Sequence, residues 1–120
     1  MKTKKITISV EITSGFDDEE RKLPSLDRLY LKKELNRLVS DISRYGWSHR
    51  IYRSKNLIFP KTIKRENSSL YLFKANKKYG VVLSVDNDPI FAQKIVTLFR
   101  VTENINLQKA FQTTAELLYS

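Results

Sequence analysis

Lys74, Lys77, Lys78 and Arg100 are the side chains here whose type and spacing best suit chemistry, and that chemistry is the handling of phosphate. Lys74 precedes and Lys77 and Lys78 end the short link Ala75-Asn76-Lys77-Lys78 between two apolar runs, and Arg100 closes the run Ile95-Val96-Thr97-Leu98-Phe99. A cation fixed at such a strand end can neutralise the charge that develops at phosphorus during strand scission. Strand alternation sets Arg100 on the face of Val96 and Leu98, either reaching solvent or lying over a site. His49, the one imidazole, stands beside Arg50, where it can act as a general base, bond a phosphate, or simply present a polar tip. Trp47, Tyr52, Tyr71, Phe73 and Tyr79 interleave with these cations, as where bases stack on rings while Lys and Arg follow the backbone. Strands also bury aromatics, so at least half of the five are expected in the core.

Other chemistries find less support. The acids Asp17, Asp18, Glu19 and Glu20 fall together in a polar stretch and read as solvated charges, because general acid/base work needs a carboxyl tuned by burial. Asp86 and Asp88 lie in Val-Asp-Asn-Asp-Pro and read as turn formers. There is no Gly-rich phosphate loop, serine nucleophile elbow or metal-ligand spacing. With no Cys and a single His, a Cys-type zinc site and a His-rich cluster are both excluded, although Asp and Glu leave an oxygen-ligand magnesium site open. No cofactor and no metal are expected.

The net charge of +9 is concentrated along the chain. Residues 44–78 hold ten Lys/Arg against one acid, Glu66, whereas the segments on either side are close to neutral. Such crowding costs self-repulsion, which an anionic partner relieves as its counterions are released. Arg50, Arg53, Lys55, Lys61, Lys64, Arg65, Lys77 and Lys78 are the expected nucleic-acid contacts, with a solubilising face as the alternative. No apolar stretch approaches the roughly 20 residues that cross a bilayer, and Met1–Lys5 leads into a strand pattern instead of a signal-peptide core. A cytoplasmic protein with no membrane contact is expected.

The elements that must position these residues are legible in outline. Ile6, Ile8, Val10 and Ile12 alternate with polar residues as a first strand. Residues 14–22 read as a loop, with at most a short helical turn. Ser25 is a candidate N-cap for a long amphipathic helix carrying Leu26, Leu29, Tyr30, Leu35, Leu38, Val39 and Ile42 up to Tyr45-Gly46. Residues 49–55 and 57–59 suggest irregular or edge strand broken by Pro60. Strands are expected over 70–74, 79–86 and 94–101, antiparallel because their links are too short for a parallel crossover. A terminal helix follows over 106–119. Together these make one α+β domain over 1–120: a four- to five-stranded antiparallel sheet packed against a helix from the N-terminal half, with a short C-terminal helix.

This order of elements resembles the RelE/ParE superfamily of bacterial toxins. The resemblance covers roughly residues 5–118 and is carried best by Leu-Tyr-Leu-Phe-Lys-Ala-Asn-Lys-Lys-Tyr-Gly-Val-Val-Leu-Ser-Val-Asp, 70–86, and Lys-Ile-Val-Thr-Leu-Phe-Arg, 94–100. It implies a toxin that pairs with a small antitoxin bearing an acidic segment. In the RelE branch it further implies a metal-independent endoribonuclease acting on mRNA, free or on the ribosome, in which cations neutralise phosphate while the RNA's own 2′-hydroxyl attacks. Lys74 and Arg100 match the basic positions of that site, and His49 is a further candidate for proton transfer. Two positions depart from the pattern: Gly80 stands where an Arg is common after Tyr79, and Phe111 lies near the expected C-terminal Tyr, with Tyr119 further along. The resemblance also leaves open a non-catalytic nucleic-acid-binding domain and a ParE-like toxin that inhibits a protein.

Overall fold

The alternation at the start of the chain forms strand β1 (Thr7–Ile12), with Ile8 packed against the core. A computed structural model describes residues 5–53, 59–60, 63–64 and 68–119. Thr13 then leaves the strand in an extended conformation, and its hydroxyl accepts the Phe16 N–H at 3.2 Å. That cap converts the acid-rich stretch, expected as a loop, into helix α1 (Ser14–Arg21), which Phe16 anchors as a fully buried plug.

Helix α2 (Ser25–Tyr45) begins after Pro24, whose fixed φ suits a helix start. Ser25 is inside the helix and is not its cap; no side chain caps this end. The helix stops at Gly46, where φ is +77° and the N–H returns to the Ile42 carbonyl at 2.8 Å. Leu31, Leu38 and Ile42 form its buried seam. Beside that seam runs a polar one at heptad spacing: Asp27, Glu34 and Asp41 each bond to residues from the sheet end or the segment leading into it.

Four further strands follow: β2 (Ile51–Tyr52), β3 (Leu70–Lys74), β4 (Tyr79–Asp88) and β5 (Gln93–Glu103). Of the strand expected over 49–55, Ile51–Tyr52 forms β2 while His49, Arg50 and Arg53 stand outside it, and residues 54–58 lie outside the described residues. The sheet order is β1-β5-β4-β3-β2. Its neighbours are antiparallel except β1, which runs parallel to β5 from Thr7↔Gln93 to Ile12↔Leu98. About two-thirds of the chain separates β1 from β5, so this pair has the long crossover that a parallel ladder requires.

A short 3-10 turn (Asn104–Asn106) leads into helix α3 (Leu107–Tyr119). The sheet is covered on both faces. Phe16 and the α2 seam pack on one face against Phe73, Val81, Leu83, Val96, Leu98 and Val101. Leu107, Ala110, Phe111 and Ala115 of α3 cover Leu70, Leu72 and Val82 on the other.

Candidate nucleic-acid interface

The C-terminal ends of β3 and β5 and the N-terminal ends of β2 and β4 lie at one end of the sheet, fixed by Ile51↔Phe73, Lys74↔Gly80 and Tyr79↔Glu103. This register gathers His49, Arg50, Lys74, Lys77, Lys78 and Arg100 at that end, around the β3–β4 hairpin. Arg53 is directed away from it, donating to the Leu70 carbonyl at 3.3 Å and stacking 4.3 Å over the Tyr71 ring. The basic segment read from the sequence is therefore divided between the two ends of the sheet. Lys64 is exposed, and Lys55, Lys61 and Arg65 lie outside the described residues.

The gathered cations differ in how they are used. Arg50 is a brace: it meets Glu34 of α2 at 2.7 Å, donates to the Ala75 carbonyl at 3.2 Å, and sits 4.8 Å over the Phe73 ring. Lys78 lies 3.6 Å from Asp27 and 5.2 Å over the Tyr79 ring; contact with the Tyr79 phenol, then Asp27, raises its pKa. Lys74 and Lys77 are exposed, with no side-chain partner among the described residues, and His49 is exposed in the turn before β2. Of the aromatics, Phe73 and Tyr79 are buried, Tyr71 packs edge-on to Trp47 at 5.0 Å, and Trp47 and Tyr52 remain over a third exposed.

Arg100 is not where strand alternation puts it. The β4–β5 ladder slips between Val82 and Leu83, pairing Val82 with Arg100 while Leu83 pairs with Leu98. The extra residue, Phe99, is a bulge that reverses the alternation. Val101 takes the buried place on the α2 face, and Arg100 opposes Val82, whose side chain lies under α3. From there the guanidinium reaches the sheet edge and meets Glu19 of α1, with Nε to Oε1 at 2.7 Å and Nη2 to Oε2 at 3.0 Å. The hydrogen bonds to Glu19 raise the Arg100 pKa and keep it charged. Glu19, read from the sequence as solvated, is thus a partner for both this cation and the strand edge. Its spacing after the Thr13 cap was the signal available, but only the parallel placement of β1 shows that α1 lies beside β5.

Lys74 and Arg100 do not converge. They sit two strands apart, about 10 Å laterally, and their rows are offset by two residues or about 7 Å. The start of α3 lies between them. A Cβ on Gly80 would strike the Leu107 side chain and come within 2.7 Å of Asn104 Oδ1. The missing Arg after Tyr79 has this physical reason, since α3 rests on the backbone where that side chain would stand. Neither Phe111 nor Tyr119 serves the hairpin end. Phe111 is buried against Phe59, and the Tyr119 hydroxyl lies 3.0 Å from Ser68 Oγ at the opposite end. Tyr79 is at the right end, but its phenol donates to Asp27 at 2.8 Å, and that bond and burial raise its pKa.

A second surface lies along the outer edge of β1. Val10 and Ile12 are exposed there and line, with Leu35 and Val39, an apolar groove of about 330 Å³ with Lys32 and Glu20 on its rim. Lys33 and Arg37 continue the basic outer face of α2. Among the described residues no group of three or more His, Asp or Glu could hold a metal ion, and no helix is long and apolar enough to cross a membrane.

No family model matches the chain, and no curated protein matches it. Solved structures do. The RelBE2 toxin–antitoxin complex from Mycobacterium tuberculosis aligns over 82% of this chain and 100% of that chain, at 16% identity and a TM-score of 0.51. The YoeB/ParE toxin from Agrobacterium tumefaciens aligns over 80% of this chain and 98% of that chain, at 10% identity and a TM-score of 0.50. With its mostly antiparallel five-stranded sheet between helices, the chain has the fold of RelE/ParE-like toxins.

Proposed function

We propose that this protein is the toxin of a toxin–antitoxin pair and that it cleaves mRNA, free or on the ribosome, at the hairpin end of its sheet without a metal. The observation that carries this reading is the contrast among cations. Arg50 is committed to the fold, whereas Lys74 and Lys77 stand exposed and uncommitted beside it among the described residues. Lys74 and Arg100, on either side of the start of α3, contact neighbouring phosphates of a single strand, and Lys77 and Lys78 extend the track.

In the reaction, the ribose 2′-oxygen bonds to the adjacent phosphorus and the bond from phosphorus to the 5′-oxygen breaks. The 2′-proton leaves as the 5′-oxygen gains one, giving a 2′,3′-cyclic phosphate and a 5′-hydroxyl. Lys74 offsets the charge on the phosphoryl oxygens at the cut, Arg100 holds the neighbouring phosphate, and His49, the exposed imidazole at this end, exchanges the proton. The open edge of β1 and its groove, beside the basic face of α2, suit an antitoxin with an acidic segment.

One observation favours a second reading, a ParE-like toxin directed at a protein: neither Phe111 nor Tyr119 supplies a phenol at the hairpin end. Inducible expression with mapping of cellular RNA ends separates the two. Growth arrest with discrete mRNA cuts supports cleavage. Arrest without cuts supports a protein target, and no arrest with salt-dependent RNA binding leaves a non-catalytic RNA-binding domain.

A further inference from the structure

β1 ends its ladder at Ile12↔Leu98, yet β5 runs on to Glu103, leaving an edge that β1 does not cover. Helix α1 closes it. The Thr13 N–H donates to the Leu98 carbonyl at 3.1 Å, and its hydroxyl lies 3.0 and 3.1 Å from the Leu98 and Phe99 carbonyls. One helical stretch later, Glu19 Oε1 accepts the Val101 N–H at 3.3 Å while both its oxygens hold Arg100. The carboxylate is therefore fixed by backbone as well as by its ion pair.

The manner of the grip decides what it does. Guanidinium presents two bidentate edges, Nε with Nη2 and Nη1 with Nη2. Glu19 occupies the first, and no described residue accepts from Nη1. The Arg100 side chain is 34% exposed. A carboxylate that masked this cation would take the outer Nη1/Nη2 edge; this one takes the inner edge.

We propose that Glu19 is a positioning residue that holds Arg100 by its inner edge so that Nη1 and Nη2 receive a phosphate oxygen of the RNA backbone. This rests on the reading of the hairpin end as an RNA site. A phosphate on the outer edge lies about 4 Å from the guanidinium charge and about 7 Å from the Glu19 carboxylate, so attraction outweighs repulsion because Coulomb energy falls with distance. Fixing the long side chain beforehand also removes the ordering loss that a free arginine suffers on binding.

The test is the affinity of the full chain for a short single-stranded RNA, read by fluorescence anisotropy at fixed salt, with thermal midpoints recorded alongside. Loss of one charge-assisted phosphate contact predicts that Arg100→Ala weakens binding about tenfold or more. Glu19→Ala should weaken it by several fold, Glu19→Gln should recover part of the loss because its oxygen still accepts from the guanidinium, and Glu19→Ala should cost nothing further in the Arg100→Ala background. Tighter binding by Glu19→Ala would identify a mask and overturn the proposal, as would equal losses for Glu19→Ala in both backgrounds. Should Glu19→Ala fail to fold, Glu19→Gln in the two backgrounds gives the same comparison. If Arg100→Ala alone leaves affinity unchanged, Arg100 is not an RNA contact and the site reading itself fails at that residue.

Discussion

The Asp27 carboxylate, in the first turn of α2, accepts the Tyr79 phenol proton at 2.8 Å across 52 residues of sequence, tying the long helix to the hairpin end of the sheet. Tyr79 is 5% exposed, so removing its hydroxyl leaves a carboxylate short of a partner. Tyr79→Phe should cost about 1 kcal/mol, or about 4 °C in Tm for a domain of this size, measured by thermal unfolding at neutral pH.

The same bond gives stability a pH dependence with a definite sign. The Tyr79 phenol is raised above its ordinary value of 10.0, first by the hydrogen bond to Asp27 and then by burial, so the folded state retains a proton that the unfolded chain releases. That contribution is complete below about pH 10 and is lost as pH rises through the folded-state pKa. Lys78 shifts in the same direction, chiefly through its contact with Tyr79, and so titrates with the same sign. Thermal midpoints should hold up to about pH 10 and fall above it as the two groups titrate, and Tyr79→Phe should flatten that fall.

Gly80 is where the fold has no room to spare. With Leu107 4% exposed and packed from the start of α3 against β4, the leucine cannot swing aside without losing its packing. Gly80→Ala should therefore destabilise by about 1–3 kcal/mol, the usual cost of overpacking a core. Hydrogen exchange should show the loss concentrated in α3, whose first turn must lift.

Arg50 and Lys74 carry the same charge at the same end of the sheet and should behave oppositely. Arg50→Ala removes the Glu34 pair, the bond to the Ala75 carbonyl and the contact with the Phe73 ring, a loss of about 2 kcal/mol. Lys74→Ala and Lys77→Ala should leave Tm nearly unchanged. Each should instead weaken RNA binding and lower the slope of log affinity against log salt by about 0.7, the value for one phosphate contact on a single strand.

The elements with a strong period were legible in the sequence. Leu35, Leu38, Val39 and Ile42 and the terminating Gly46 marked α2, although Leu26, Leu29 and Tyr30 of the same spacing are exposed and the buried Leu31 was passed over; the apolar runs at 70–74 and 79–86 marked the central hairpin. Helix α1 was not legible, because its cap is Thr13, a strand-forming type at the end of a strand, and a single buried Phe16 anchors a polar octet. The parallel place of β1 was equally hidden, since a partner some 86 residues away leaves no local mark. At the site, the sequence placed Lys74 and Lys77 at a tight connection between antiparallel strands, where both are exposed. It placed Arg100 on the wrong face because one bulged residue, Phe99, reverses every later position in the strand. The heptad-spaced Asp27, Glu34 and Asp41 were the missed signal: acids at that spacing lie along one line of a helix, and here the line faces the basic sheet end.

The most direct test of the central claim uses purified protein, a short RNA labelled at its 5′ end, and a buffer containing a metal chelator. The account predicts cleavage that leaves 2′,3′-cyclic phosphate ends, persists without metal, is lost when the 2′-hydroxyl at the cut is replaced by hydrogen, and falls at least tenfold in Lys74→Ala (roughly the contribution of one charge-stabilising donor). Undiminished cleavage by Lys74→Ala, or intact RNA with the wild-type protein both free and on translating ribosomes, would contradict it.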